Sequence, residues 1–120
     1  MTKIDVYKPT RILSAANASE ITLWVRQVLD AEARHLLLDL GNVMFMDSSG
    51  LGSLVAARRI ALEQGATFAL SSVHGQTRML LDMANVESLF LIVGTLKEYQ
   101  AHLEANGLST EAQRSHQPCG

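Results

Sequence analysis

Residues 35–65 read HLLLDLGNVMFMDSSGLGSLVAARRIALEQG. His35 to Leu40 is nearly continuous apolar sequence without alternation, the pattern of a strand covered on both faces within a parallel sheet. Gly41-Asn42 interrupts it, Val43 to Met46 continue, and then one acid, two hydroxyls and two glycines are packed into Asp47-Ser48-Ser49-Gly50-Leu51-Gly52. Beyond that turn, Leu51, Leu54, Val55, Ala61 and Leu62 lay an apolar stripe along a helix that Gly65 can end. Strand, turn and helix in this order predict an α/β unit.

The flanking sequence repeats the theme. Upstream, Ile4, Val6 and Ile12-Leu13 suggest one or two short strands broken by Pro9. From Asn17 the period becomes helical, with Ile21, Trp24, Val25, Val28 and Leu29 on one face and Asn17 and Glu20 spaced as a cap pair. Downstream, residues 67–71 resume strand character, Gln76 to Ala84 forms a helix carrying Met79, Leu80 and Met83 inward, and Leu89 to Val93 forms another short buried strand. Thr95 and Glu98 have the spacing of a capping box, and Leu96, Tyr99 and Leu103 mark one face of a last helix. Helix-length crossovers make the strands at 35–40, 67–71 and 89–93 parallel. The expectation is one short, mixed or mostly parallel sheet of four to five strands packed with about four α-helices. Residues 1–106 form the domain, and 107–120, without periodicity, form a flexible tail.

Bulk properties narrow the function classes. A chain of 120 residues with 48% hydrophobic content holds one core. A net charge of -2 and a pI near 6.0 supply no field to gather phosphate backbones or anionic lipid, so neither nucleic acid nor membrane is an expected partner. The single cysteine, Cys119, excludes an internal disulfide and a CxxC pair, and no apolar run reaches the ~20 residues that span a bilayer. A cytoplasmic protein is expected, and the sequon Asn17-Ala18-Ser19 is then a helix start and not a glycosylation site. His35, His74, His102 and His116 read as surface or capping residues with no metal-ligand spacing among them. Arg58 and Arg59 belong to a solvated face. Neither a metal nor a cofactor is expected.

The turn at 47–52 sits where α/β sheets meet ligands and partners, at the carboxyl end of a strand and the head of the next helix. Helix capping explains one hydroxyl. It leaves the second serine unexplained, and two glycines in a first helical turn each cost roughly 0.5–1 kcal/mol relative to Ala. Glycines there allow a close approach by another backbone or a ligand. FMDSSGLG, together with the upstream LLLDLGNV and the downstream RMLLDMANVESLFLIV, resembles the anti-sigma factor antagonists, the stand-alone STAS-domain proteins of bacterial partner-switching systems. The resemblance runs from about Ile4 to Leu103.

That resemblance implies a switch and not an enzyme. Ser48, directly after the acid, would be phosphorylated by a serine kinase that is itself the anti-sigma factor. The unphosphorylated form would bind that kinase and free its sigma factor or other target. The phosphorylated form would let go, and a metal-dependent serine phosphatase would reset it. The partner surface it implies comprises Asp47, Ser48, Ser49, Gly50, Leu51 and Gly52 with Met44 and Met46. Asp47 either orients the hydroxyl and meets the kinase or simply favours the helix N-terminus. Ser49 is read as the cap or a secondary contact. Phe45 and one of the two methionines are read as core. Relatives commonly carry an acid before the first helix in a Gly-x-Leu-Asp segment; here Arg11-Ile12-Leu13-Ser14-Ala15 stands there, and Ser14 takes the acid's place at the partner surface. A monomer or weak dimer is expected.

Two other function classes make different demands on the sequence. A serine hydrolase would place its nucleophile in G-x-S-x-G, which D-S-S-G-L-G is not, so no catalytic residue is assigned. A STAS module binding a small ligand or nucleotide, or serving as a subunit of a larger sensory complex, keeps the fold and changes the task. No P-loop or GxGxxG supports nucleotide binding.

Overall fold

The computed structural model describes residues 2–106. Its elements are β1 (Asp5–Tyr7), β2 (Ile12–Leu13), α1 (Ser19–Asp30), β3 (His35–Asp39), β4 (Phe45–Met46), α2 (Ser48–Glu63), β5 (Thr67–Ser71), α3 (Gly75–Met83), a 3-10 turn (Glu87–Leu89), β6 (Leu91–Val93) and α4 (Leu96–Ala105). The main sheet has the order β1-β3-β5-β6, and a separate two-stranded sheet joins β2 to β4. Every ladder is parallel, so the mixed alternative does not occur among the described residues. The 107–120 tail lies outside them.

The strand order rises steadily along the chain, which sends successive crossovers to the same face. Alternation along β3 therefore divides its side chains between two cores. Leu36 and Leu38 join Phe68 and Leu70 beneath Ile21 and Val25 of α1, Leu54, Ala57 and Ala61 of α2, and Leu81 of α3. Leu37 and Ala69 face the other way, onto Tyr99 and Leu103 of α4. This double cover is why residues 36–38 are apolar without alternation. Tyr7 stacks on Trp24 at a centroid distance of 5.3 Å, closing the β1 side of the larger core.

Three helices end on a left-handed residue that lets the chain turn back: Glu32 (φ 68°), Gly65 (φ 79°) and Asn85 (φ 58°). In each case a following amide bonds a carbonyl five residues earlier: Ala33 to Val28 (2.9 Å), Ala66 to Ala61 (2.9 Å) and Val86 to Leu81 (3.2 Å). This is the Schellman closure, which Gly65 and Asn85 advertise in the sequence and Glu32 does not. The Thr95–Glu98 box forms as expected at its first bond, Glu98 N–H to Thr95 Oγ1 at 3.1 Å. The Glu98 carboxylate accepts from Gly94, one residue before the cap, at 2.7 Å.

Several expectations are corrected. Asn17 does not cap α1. Its side chain ties the preceding turn, accepting from Ser14 N–H at 3.0 Å and donating to the Ile12 carbonyl at 2.9 Å. Along α3 the buried positions are Thr77 and Leu81, while Met79 (62% exposed) and Met83 (79%) point outward. The short helix buries a narrower stripe than its apolar content implied. Leu96 and Leu62 are likewise exposed. Leu89 belongs to the 3-10 turn and the strand starts at Leu91, only partly buried.

His35 is buried and not a surface histidine. Its Nδ1 bonds Thr67 Oγ1 at 2.9 Å, and Thr67 Oγ1 in turn bonds the buried Tyr99 hydroxyl, so one polar chain links β3, β5 and α4. Burial, with the Arg34 charge second, holds the His35 pKa below its usual 6.5. Burial pushes the Tyr99 phenol up to about 12, against a smaller lowering by the Thr67 hydrogen bond. Because folding disfavours the imidazolium, the stability held by neutral His35 is complete above the unfolded value and is lost as pH falls from 6.5 through the folded pKa. Thermal melts between about pH 7.5 and 5 should show a falling Tm across that window. His35→Gln, which can still hydrogen-bond Thr67 but does not titrate, should flatten the slope; an equally steep slope in that variant would assign the dependence to other groups.

Candidate functional site

The turn that follows the small sheet is built by three neighbours. From β2, the register sets Leu13 opposite Met46, and the Leu13 carbonyl accepts from Asp47 N–H at 3.2 Å. From α2, the Asp47 carboxylate accepts from Gly50 N–H at 3.0 Å, which makes Asp47 the N-cap in extended conformation (φ -104°, ψ -173°). From α3, the Gln76 carboxamide bonds both polar groups of Met46: its Oε1 accepts from Met46 N–H at 2.8 Å and its Nε2 donates to the Met46 carbonyl at 2.9 Å.

The cap is therefore Asp47 and not Ser49. Ser48 and Ser49 occupy the first two helical positions, both exposed, and among the described residues neither hydroxyl has a hydrogen-bond partner. Helix geometry leaves their amides without intrahelical acceptors, and the dipole makes the local potential positive. The serine after the acid thus presents a free nucleophilic oxygen on a backbone fixed from both sides.

The two glycines differ. Gly50 is buried, and a Cβ there would sit 2.6 Å from the Leu13 carbonyl oxygen and 2.8 Å from Met46 Cγ. Its need is internal, to let α2 settle against β2, so it does not open the backbone to a partner. Gly52 is exposed with nothing within 4 Å of a Cβ. Ser53 completes the turn, donating from Oγ to the Gly50 carbonyl at 2.6 Å.

Of the expected partner residues, the structure brings Ser48, Ser49 and Gly52 together on one exposed turn, with Asp47 and Leu51 half-buried beside them. Ser14 lies next to Leu13 in the adjoining turn, half-buried, its Oγ accepting from Ala16 N–H at 3.3 Å. Met46 is fully buried and belongs to the core, whereas Met44 is exposed. Phe45 corrects the core expectation, at 48% exposure on the outer face of the small ladder beside its register partner Ile12. The alternation inside a two-residue strand decides this: with Met46 inward, Phe45 must point out.

Sequence reasoning missed Gln76. A glutamine in a first helical turn reads as surface, and nothing local signals its bond to a strand 30 residues earlier. Elsewhere, a cavity of about 460 Å³ opens beside Met44 and Arg11, and one of about 310 Å³ lies at the far end of the sheet beside Lys3, Arg34 and His35. Among the described residues no group of three or more His, Cys, Asp or Glu could hold a metal ion, and no helix is long and apolar enough to cross a membrane.

A family model described as the STAS domain matches residues 3–99. The chain is similar to an anti-sigma F factor antagonist of Paenibacillus polymyxa, 34% identical over 55 residues that cover 46% of this chain and 47% of the relative. It is also similar to a STAS-domain containing protein of Pseudomonas aeruginosa, 36% identical over 59 residues, 49% of this chain and 58% of the relative. These matches span about half the length of each relative. Among solved structures, a candidate anti-sigma factor antagonist of Thermotoga maritima superposes with a TM-score of 0.76 at 24% identity, over 84% of this chain and 87% of that one. The anti-sigma factor antagonist SpoIIAA in its unphosphorylated form gives 0.64 at 15% identity, over 90% and 94%. At these identities the likeness is one of fold.

Two pairs of substitutions test the geometry by urea denaturation. Gly50→Ala should lose about 1–3 kcal/mol to overpacking, while Gly52→Ala should be neutral or gain up to about 1 kcal/mol. Asp47→Ala should lose about 0.5–2 kcal/mol with the cap, and Ser49→Ala should stay within about 0.5 kcal/mol of the wild type. Equal costs within either pair would contradict the close approach or the cap.

Proposed function

The chain belongs to the STAS domain family, and on that footing we propose that it is an anti-sigma factor antagonist switched by phosphorylation of Ser48. The observation that carries this reading is the exposed, unpartnered Ser48 hydroxyl at the head of α2, on a backbone held by β2 and α3. A kinase supplies its own base, magnesium and ATP, so its substrate need only present such a hydroxyl in a fixed pose. In the reaction Ser48 Oγ attacks the γ-phosphorus of ATP, the bond to the bridging oxygen breaks, ADP leaves and the hydroxyl proton passes to the kinase's base. That a fold relative is described in its unphosphorylated form is consistent with such a cycle.

The partner is an anti-sigma factor that is itself the serine kinase. The contact surface would be the exposed turn with Met44 and, beside it, Ser14. Phosphate adds about -1.5 to -2 charge where helix amides and dipole tolerate it, so the domain stays folded. For the bound partner the same dianion must be desolvated or matched by new cations, and a penalty of a few kcal/mol changes occupancy by orders of magnitude. A metal-dependent serine phosphatase would return the free hydroxyl, with water as the acceptor and inorganic phosphate as the product. The chain acts as a cytoplasmic switch and catalyses nothing.

Site-mapping mass spectrometry on the protein from its native cells should place a phosphoryl group on Ser48 that phosphatase treatment removes. Ser48→Ala used as bait should retain the kinase, and Ser48→Asp should bind it at least tenfold more weakly. An unmodified Ser48 across growth conditions, with no kinase captured, would sink the switch; tight binding by Ser48→Asp would sink electrostatic release.

A further inference from the structure

We propose that Gln76 is the positioning residue of the switch, a side chain that stands in for a missing strand and sets the pose in which Ser48 meets its kinase. The inference rests on the Ser48 reading and adds a residue to it. β4 is two residues long and has β2 on one side only. The N–H groups of Phe45 and Asp47 point to that side, bonding the Arg11 and Leu13 carbonyls at 3.2 Å each. The polar groups of Met46, between them, point the opposite way, to an edge where the next strand would lie. No strand is there. The Gln76 carboxamide fills both bonds, at 2.8 and 2.9 Å, as a strand's peptide group would.

Met46 lies two residues before Ser48, so this pair of bonds fixes the last stretch of backbone before the cap. On the other side the turn is held by Leu13 O and by the tight seat of Gly50. Removal of the Gln76 clip would leave a two-residue strand tethered along one edge. The α2 head would then wander relative to a partner that reads Asp47, Ser48 and the neighbouring apolar surface together, and a misplacement of about 1 Å costs a transfer reaction on the order of 100-fold. A carboxamide is needed because one donor and one acceptor must be offered side by side. A carboxylate offers only acceptors and would face the Met46 carbonyl; a protonated carboxylic acid offers the pair again.

This chemistry supplies the test. Amide hydrogen exchange of the full chain is followed by NMR for the wild type, Gln76→Ala and Gln76→Glu, at pH 7 and about pH 4, each variant expressed relative to the wild type at the same pH. In parallel, the fraction phosphorylated at Ser48 is measured by mass spectrometry for each variant made in native cells. Met46 N–H should exchange at least tenfold faster in Gln76→Ala, and in Gln76→Glu at pH 7. It should return toward the wild-type rate in Gln76→Glu at the lower pH, where the carboxyl gains its proton. Exchange in the β3 and β5 amides should stay unchanged, and the Ser48 phosphorylated fraction should fall several-fold in both variants. Should Gln76→Ala fail to fold, Gln76→Glu, of the same shape, carries both readouts. Unchanged Met46 exchange would overturn the clip, and faster exchange with normal phosphorylation would overturn its positioning role. A wild type unmodified at Ser48 would instead remove the switch reading and the positioning role with it, while the exchange data still report on the clip.

Discussion

A strand with consecutive buried side chains must be covered on both faces, and β3, buried from His35 through Leu38, is that strand. Leu36, Leu37 and Leu38 are all essentially inaccessible, so the sheet needs helices above and below before residues 35–39 can exist as a strand at all. The steadily rising strand order puts α1, α2 and α3 on one side. That leaves α4 to cover Leu37 and Ala69, which it does with Tyr99 and Leu103. The cost of sinking a tyrosine and a histidine in this layer is met by joining them through Thr67, so the polar chain from His35 to Tyr99 also fixes how α4 sits on the sheet.

The turn at 47–52 grows out of this frame without being part of its core. Leu40, Val43 and Met46 remain anchored in the larger cluster while the intervening residues come to the surface. From Met46 the chain has one path: Asp47 caps, Ser48 and Ser49 begin α2 in the open, and Gly50 returns inward against Leu13. Only a residue without a Cβ can make that return, which confines the exposed stretch to two serines. Both serines are exposed at the head of α2, where free amides and the helix dipole favour negative charge.

Much of this was legible in the sequence because large periodic segments leave little choice. The strands at 35–39 and 67–71, the α1 and α2 stripes, the Gly65 stop and the Thr95 cap follow from apolar spacing and backbone chemistry alone. What failed was short or non-local. In two-residue β4 and nine-residue α3, apolar content exceeds the buried area available, so Phe45, Met79 and Met83 are left outside. Asp47 won the cap from Ser49 because the chain reaches Asp47 still extended, bonded to Leu13, and turns helical only afterwards. Asn17 lost its cap to a tighter use within the preceding turn. Gln76 had no local signature, since its partner is fixed only when α3 comes to rest beside β4.

Some of these departures share a place. Half of the ten large apolar side chains exposed among the described residues lie on or next to β2, β4 and α3, the elements that brace or border the serine turn: Ile12, Met44, Phe45, Met79 and Met83. Methionine adapts its shape to whatever covers it, whereas the backbone beneath is pinned by a ladder, a cap and a carboxamide. A rigid hydroxyl beside adaptable apolar side chains suits a surface whose affinity is set by contact and whose release is set by charge. Apolar contact alone carries no titrating or modifiable charge, and so is not reversed by small changes in the cell. A dianion at its rim can reverse it, because the water a partner must strip from phosphate is held far more strongly than the water it strips from methionine.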